Sequence, residues 1–248
     1  TVVAFIYKEI VFDVIIFGPK NPDFFSYRAI CWLTSQIGQD MFCFNEIPFE
    51  LMNTMMSGQF TLHLWVSFIA GFVVAFPYVV FEIWRFIKPG LHPTERNNSR
   101  GLIFITSFLF TLGILFGYYV IVPFSIQFLA TYTVSAEVVN RIDLSSYIST
   151  VTSVTLASGV VFELPVVVYF LSKLTILTPT LMRTYRKHAI VVILVLAAII
   201  TPPDVASQVL VTLPVLLLYE ISIFVSARVE KKRIKRDIIA SLSLKCLY

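Results

Sequence analysis

The side chains able to do chemistry in this chain are few, and the most telling are carboxylates set in or beside apolar sequence. Between two long apolar runs lies Phe86-Ile-Lys-Pro-Gly-Leu-His-Pro-Thr-Glu-Arg96, a polar hairpin with Pro89, Pro93, one glycine and one acid, Glu95. At a membrane surface such a hairpin either recognises something through that acid or merely connects two helices, with Glu95 paired to Arg96 or Arg100. A second acid, Glu163, stands roughly three residues, or about 4.5 Å, from the centre of an apolar run. On insertion scales a charge there costs about 2.5–3.5 kcal/mol. It is placed either for a ligand or proton, or as a polar contact that helps helices associate. At helical spacing Thr152, Leu156 and Gly159 share its face, and Pro165 bends the helix just beyond it. Glu82 reads as an interfacial carboxylate near Arg85. Glu220 falls late in the last apolar run. Gln208, entering that run after Asp204, offers an amide either to a partner's membrane helix or to the start of its own.

Other chemistries lack their residues. No Gly-x-Ser-x-Gly, P-loop or dinucleotide fingerprint occurs, so an enzyme is not expected. His63, His92 and His188 are far apart, and there is no Cys-x-x-Cys pair, so neither a metal site nor a cofactor is expected. Cys31 and Cys43 share one loop, where an oxidising compartment would allow a disulfide, while Cys246 lies in the tail.

The elements that must position these groups are membrane helices. Hydrophobic residues make up 57% of the 248 and charged residues 14%, with a mean hydropathy of +0.83, more apolar content than a soluble core of this size buries. The runs are long and continuous, without the alternation of a barrel, so the fold class is all-α: a single polytopic membrane domain. Spans are expected at 60–84, 101–122, 149–171, 189–200 and 209–225, and residues 1–6 read as the end of a sixth whose beginning is missing. Residues 7–58 form an exported loop of short interfacial helices, and 226–248 a basic tail. The spans at 189–200 and 209–225 are short; twelve residues rise only about 18 Å, which requires a thinned bilayer or water beside them. Gly113 and Gly117 form a Gly-x-x-x-Gly pair that permits close helix approach.

Basic residues set the orientation. Fifteen of the 19 Lys and Arg fall in the loops 85–100 and 173–187 and in the tail, which places those segments, and the Glu95 hairpin, in the cytoplasm. The basic run of the tail is read as a juxtamembrane anchor at the lipid surface, with no nucleic-acid partner.

Four motifs together carry a family resemblance: the 86–96 hairpin, Gly113-Ile-Leu-Phe-Gly-Tyr-Tyr119, Gly159-Val-Val-Phe-Glu-Leu-Pro165 and Thr201-Pro-Pro-Asp-Val-Ala-Ser-Gln208. In order and spacing, from about Phe60 to Ala227, the chain resembles the TatC family, the multi-spanning receptor of the twin-arginine protein translocase. The resemblance implies six spans in a concave, glove-like bundle in the bacterial cytoplasmic membrane, with both termini cytoplasmic. It implies that twin-arginine signal peptides dock on the hairpin, with Glu95 as acceptor and Pro89, Leu91 and Arg96 around it. A guanidinium offers a planar fork that a carboxylate accepts bidentately. It further implies that Glu163 and Thr152 line the concave face and that Asp204, Gln208 and Glu220 meet single-span TatA/TatB-type partners. It implies as well that several copies assemble in the working complex and that folded cargo moves at the expense of the proton-motive force. The alternative is a proton-coupled small-solute transporter built on Glu163; an inverted-repeat carrier should show two similar halves, and none is evident.

Overall fold

A computed structural model describes residues 1–21, 23–35, 49–87, 99–132, 141–201 and 205–245. Among these, four helical runs are long and apolar enough to cross a bilayer: Gly58–Phe86, Gly101–Thr131, Leu144–Lys173 and Ser207–Lys235. The chain opens with α1 (Val2–Ile6), a π-helix (Ile10–Ile16), a 3-10 turn (Gly18–Lys20) and α2 (Phe25–Ser35). A short strand β1 (Glu50–Met52) leads into α3 (Gly58–Ile87). Next come α4 (Ser99–Phe116), a π-turn (Gly117–Ile121) and α5 (Val122–Thr131), which together make one span. Strand β2 (Arg141–Asp143) precedes α6 (Leu144–Phe162) and α7 (Leu164–Lys173), which make the next; α8 (Pro179–Thr184), α9 (Arg186–Ile200) and α10 (Val205–Lys245) follow.

Three boundaries differ from the sequence expectation. The 101–122 span runs on to Thr131: Pro123 follows directly on the π-turn, at the first turn of α5, where its fixed φ suits the helix and the chain continues helical through it. The 149–171 span begins earlier, at Leu144, because Asp143 caps it: its Oδ1 accepts from the Ser145 amide at 2.8 Å. The helix of the last span does not stop at Val225 but carries the basic tail onward to Lys245, 41 residues and about 60 Å in all. α9 remains short, its 15 residues rising only about 22 Å.

Lipid is as apolar as leucine, so helices associate here through close packing rather than water exclusion. The pair of glycines in α4 meets α6 directly. A Cβ on Gly113 would stand 2.7 Å from the Ser158 carbonyl oxygen, and one on Gly117 would stand 2.8 Å from the Ser158 Cβ. Serine pairs hold α10 at two levels: Ser125 Oγ donates to Ser207 Oγ at 2.9 Å, and Ser172 Oγ donates to Ser226 Oγ at 2.8 Å, all four buried. The main core gathers Val66, Ile121, Ile148, Val151, Ile193 and Val215, while a smaller cluster of Val168, Met182 and Ile223 lies toward the other end.

The segment before β1 is bound to the bundle by tyrosines. Pro123 leaves the Tyr119 carbonyl without its helical donor, and the Ser26 hydroxyl donates to it instead. Tyr27 donates to the Pro19 and Pro123 carbonyls (3.0 and 3.3 Å), Tyr118 to Ile15 (2.6 Å) and Tyr147 to Ile16 (2.9 Å). This end is closed by the parallel pair β1 and β2, in which Leu51 faces Ile142, a small addition to an otherwise helical fold.

Asp143 joins the two parts. Its carboxylate accepts from the Ser145 hydroxyl and amide and, at 2.6 Å, from the Thr54 hydroxyl. These bonds, those of Ser145 first, hold the carboxyl well below the usual range. A depressed folded pKa means stabilisation that is present above the unfolded value of about 3.9 and is lost as pH falls through the folded value. Hydrogen exchange, corrected for intrinsic rates, is therefore expected to quicken at residues 50–54 and 144–148 below about pH 4. Asp143→Ala should quicken it at neutral pH, and Asp143→Asn should flatten the acid dependence. An acid profile that Asp143→Asn leaves unchanged would put the cause elsewhere.

Candidate functional site

The hairpin expected to bind a ligand is carried by α3 and α4. The residues named for it, Pro89, Leu91, Glu95 and Arg96, lie outside the described residues. Its base is described. Trp84, only 5% exposed, packs against Phe170 of α7 with ring centroids 5.3 Å apart, so the last turn of α3 is fixed to the bundle. On the exposed side Arg85 lies 3.8 Å from Glu82 in an i,i+3 pair, the interfacial arrangement expected of that acid. Residues flanking the hairpin thus stand at the end of the bundle where Lys173, Arg183, Arg186 and Lys187 also fall, between α7 and α9.

Glu163 sits where α6 gives way to α7. Pro165 cannot donate to the Val161 carbonyl, and the Glu163 amide turns back to Val160 at 3.1 Å, so the helix breaks at the acid and resumes. Both carboxylate oxygens are shielded from solvent and meet no donor of good hydrogen-bond geometry among the described residues, the backbone of Phe110 on α4 offering them only a weak contact. A carboxylate in that condition is costly unless something is supplied to it.

Thr152 was grouped with Glu163 by helical spacing, but the two are used differently. Thr152 donates to the Ile148 carbonyl at 2.7 Å and lines a cavity of about 420 Å³ between α6 and α3, with Trp65, Ile69, Leu156, Val160 and Ile200. Glu163 is not among the lining residues. Gly159, next on the stripe, packs on Phe110 and Ile114 of α4. The stripe 152–156–159–163 therefore runs along the border between the α3-facing and α4-facing sides of α6.

The residues expected at a partner helix also separate. Gln208 Nε2 donates to the Leu194 carbonyl at 3.3 Å, linking α10 to α9. Asp204 lies outside the described residues. Glu220 pairs with Arg186 at 2.7 Å, twelve residues or about 18 Å along α10 from Gln208, so the two stand at different levels of the helix. The Tyr219 hydroxyl beside it donates to the Met182 carbonyl at 2.8 Å. Cys31 is disulfide-bonded; Cys43, its expected partner, lies outside the described residues. His63 stacks on Phe5, with centroids 4.1 Å apart, and its Nε2 lies 3.1 Å from the Phe5 carbonyl, which ties α1 to α3.

Residues that spacing and motifs did not single out include Trp84, Trp65, Tyr27, Tyr147 and Ser26, whereas Tyr118 falls within the 113–119 motif. For the Ser26 contact the sequence carries one signal. Pro123 sits four residues after Tyr119, so a carbonyl there needs an outside donor.

Comparison with known proteins bears on this arrangement as a whole. The family "Sec-independent protein translocase protein (TatC)" matches residues 1–214. A curated TatC from Blattabacterium sp. subsp. Periplaneta americana is 40% identical over 235 residues, 94% of this chain and 88% of its own length. One from Aquifex aeolicus is 32% identical over 232 residues, 93% and 87% of the two chains. A crystal structure of the twin arginine translocase receptor TatC superposes with a TM-score of 0.63 at 30% identity, covering 92% of this chain and 99% of that one. The likeness extends across nearly the whole chain, at 40% identity to a curated relative and 30% to a solved structure, and the protein belongs to the TatC family of Sec-independent protein translocase proteins.

Proposed function

We propose that this chain is the receptor subunit of a twin-arginine translocase. Its basic end faces the cytoplasm, as do both termini, and the hairpin between α3 and α4 takes the paired arginines of a signal peptide through Glu95, with Pro89 and Pro93 stiffening the turn and Leu91 and Arg96 beside it. Single-span TatA/TatB-type partners meet the bundle near Asp204 and Gln208, several copies assemble, and folded proteins cross the bacterial cytoplasmic membrane driven by the proton-motive force. The observation that carries the reading is the 92% coverage shared with a solved twin arginine translocase receptor. The residues agree with it: Trp84 braces one root of the hairpin against α7, and a carboxylate beside a membrane surface is a natural acceptor for a guanidinium fork.

Glu163 is the intramembrane polar site in this reading. Its two oxygens, which meet no well-placed donor among the described residues, support a role that supplies one during transport.

The test uses the full chain in nanodiscs and a fluorescent signal peptide bearing either two arginines or two lysines. Lysine keeps the charge but not the fork, so binding at least tenfold weaker is expected for the lysine peptide, about 1.4 kcal/mol. Equal binding of both would reject recognition of an arginine pair.

A further inference from the structure

We propose that one face of α10, formed by Arg228, Lys231, Lys232 and Lys235, binds the phosphate groups of anionic phospholipids. These four stand at i, i+3, i+4 and i+7, on one side of the helix. The same side, followed back into the membrane, carries Leu213, Leu217, Ile221 and Phe224, all exposed on the bundle surface, Leu213 to 63% and Phe224 to 58%. A stripe that faces hydrocarbon therefore turns basic without turning away. Of the two acids in this stretch, Glu230 lies on the far side of the helix, and Glu220, at the edge of the stripe, is paired with Arg186.

Packing fixes that rotation. Ser222, Ile223 and Ser226 are buried on the inner side of α10, and Ser226 is hydrogen-bonded to Ser172 of α7, so the basic side cannot swing inward without breaking this seam. The axial position is right as well. A hydrocarbon core of about 30 Å takes roughly 20 residues, which from Val205 ends near Val225; Arg228 follows about 4.5 Å later and Lys231 about 9 Å later, within or just outside the headgroup layer. The Arg228 guanidinium lies 4.3 Å from the centroid of the Phe224 ring, held at the boundary by the last lipid-facing aromatic. A ligand reaching it there approaches from the lipid side, which selects a headgroup over a soluble anion or a nucleic acid.

The experiment uses the full chain in mixed micelles titrated with fluorescent phosphatidylglycerol or phosphatidylcholine. Phosphatidylglycerol is expected to bind more tightly, with an affinity that falls as salt is raised. At about 1 kcal/mol per cation, each charge removed weakens binding about fivefold, so Lys231→Gln/Lys232→Gln/Lys235→Gln together should lose on the order of a hundredfold. The matched triple Lys8→Gln/Arg28→Gln/Arg141→Gln, from the other end of the molecule, should lose little, and Lys231→Arg/Lys232→Arg/Lys235→Arg should keep affinity. Equal losses in the two glutamine triples, loss in the arginine triple, equal binding of the two lipids, or displacement of phosphatidylglycerol by a single-stranded oligonucleotide would each overturn the proposal.

Discussion

Gly113→Leu is expected to leave no stably packed bundle. At this position even a methyl group meets backbone: the added Cβ would lie 2.7 Å from the Ser158 carbonyl oxygen, 2.8 Å from the Phe162 Cβ and 2.9 Å from the Gly159 Cα. None of these is the far end of a flexible side chain, so relief requires α4 and α6 to move apart. Gly159 stands across the contact and is itself closed in by Phe110 and Ile114, which blocks relief from that direction. Overpacking by a methylene or two typically costs about 1–3 kcal/mol, and Gly113→Ala should fall in that range. Leucine adds three further carbons and should exceed it. Gly101→Ala supplies the contrast, because a Cβ there meets nothing within 4 Å; it should be neutral or stabilising by about 0.5–1 kcal/mol through helix propensity. The measurement is thermal unfolding in detergent followed by loss of the monodisperse peak. A Gly113→Leu protein that melts with the parent would mean that the α4–α6 contact is not this close.

That contact was half legible in the sequence. Gly113-x-x-x-Gly117 announces a close approach, but spacing within one helix cannot name the helix approached. The spans themselves were legible because apolar length alone specifies them, and the break at Pro165 because proline removes a donor wherever it falls. Boundaries were harder. The 123–131 segment, with its serine, glutamine and threonine, lacks the uninterrupted apolar run by which a span is recognised, yet its backbone remains helical to Thr131. In the same way the last span reads as ending at 225, where the charges of the basic tail begin, although nothing in that tail breaks a helix and α10 simply continues.

The separation of Thr152 from Glu163 has a different cause. Helical spacing correctly puts them on one stripe of α6. What a stripe touches depends on its neighbours: residues 155, 158, 159 and 162 form the side that meets α4, while 149, 153, 156 and 160 form the side that opens onto the α3 cavity. A stripe between the two sides is divided by small displacements, which only the packed bundle determines.

Glu95→Lys is expected to abolish binding of a twin-arginine signal peptide while the protein remains inserted and stable. The hairpin is carried by α3 and α4, and the turn that precedes it is anchored by Trp84 on Phe170, a contact that exchanging one side chain at residue 95 leaves in place. On the ligand side, two guanidinium groups would meet an ammonium in place of a carboxylate. Breaking a desolvated ion pair by removing one partner costs about 3–5 kcal/mol, which is more than a hundredfold in affinity, and like-charge repulsion adds to it. Glu95→Gln separates charge from shape: hydrogen bonds to a charged group contribute about 1.5–3 kcal/mol against about 1 for neutral ones, so a loss of roughly tenfold is expected, intermediate between parent and lysine. A reciprocal exchange gives the sharpest outcome. A peptide whose arginine pair is replaced by two glutamates should bind Glu95→Lys better than it binds the parent chain, because the sign of the pair is restored even though the fork is lost. The readouts are crosslinking of the peptide to the full chain in membranes and export of a folded reporter. Unchanged crosslinking by Glu95→Lys, with export intact, would remove Glu95 from recognition and return it to a loop carboxylate paired with Arg96 or Arg100.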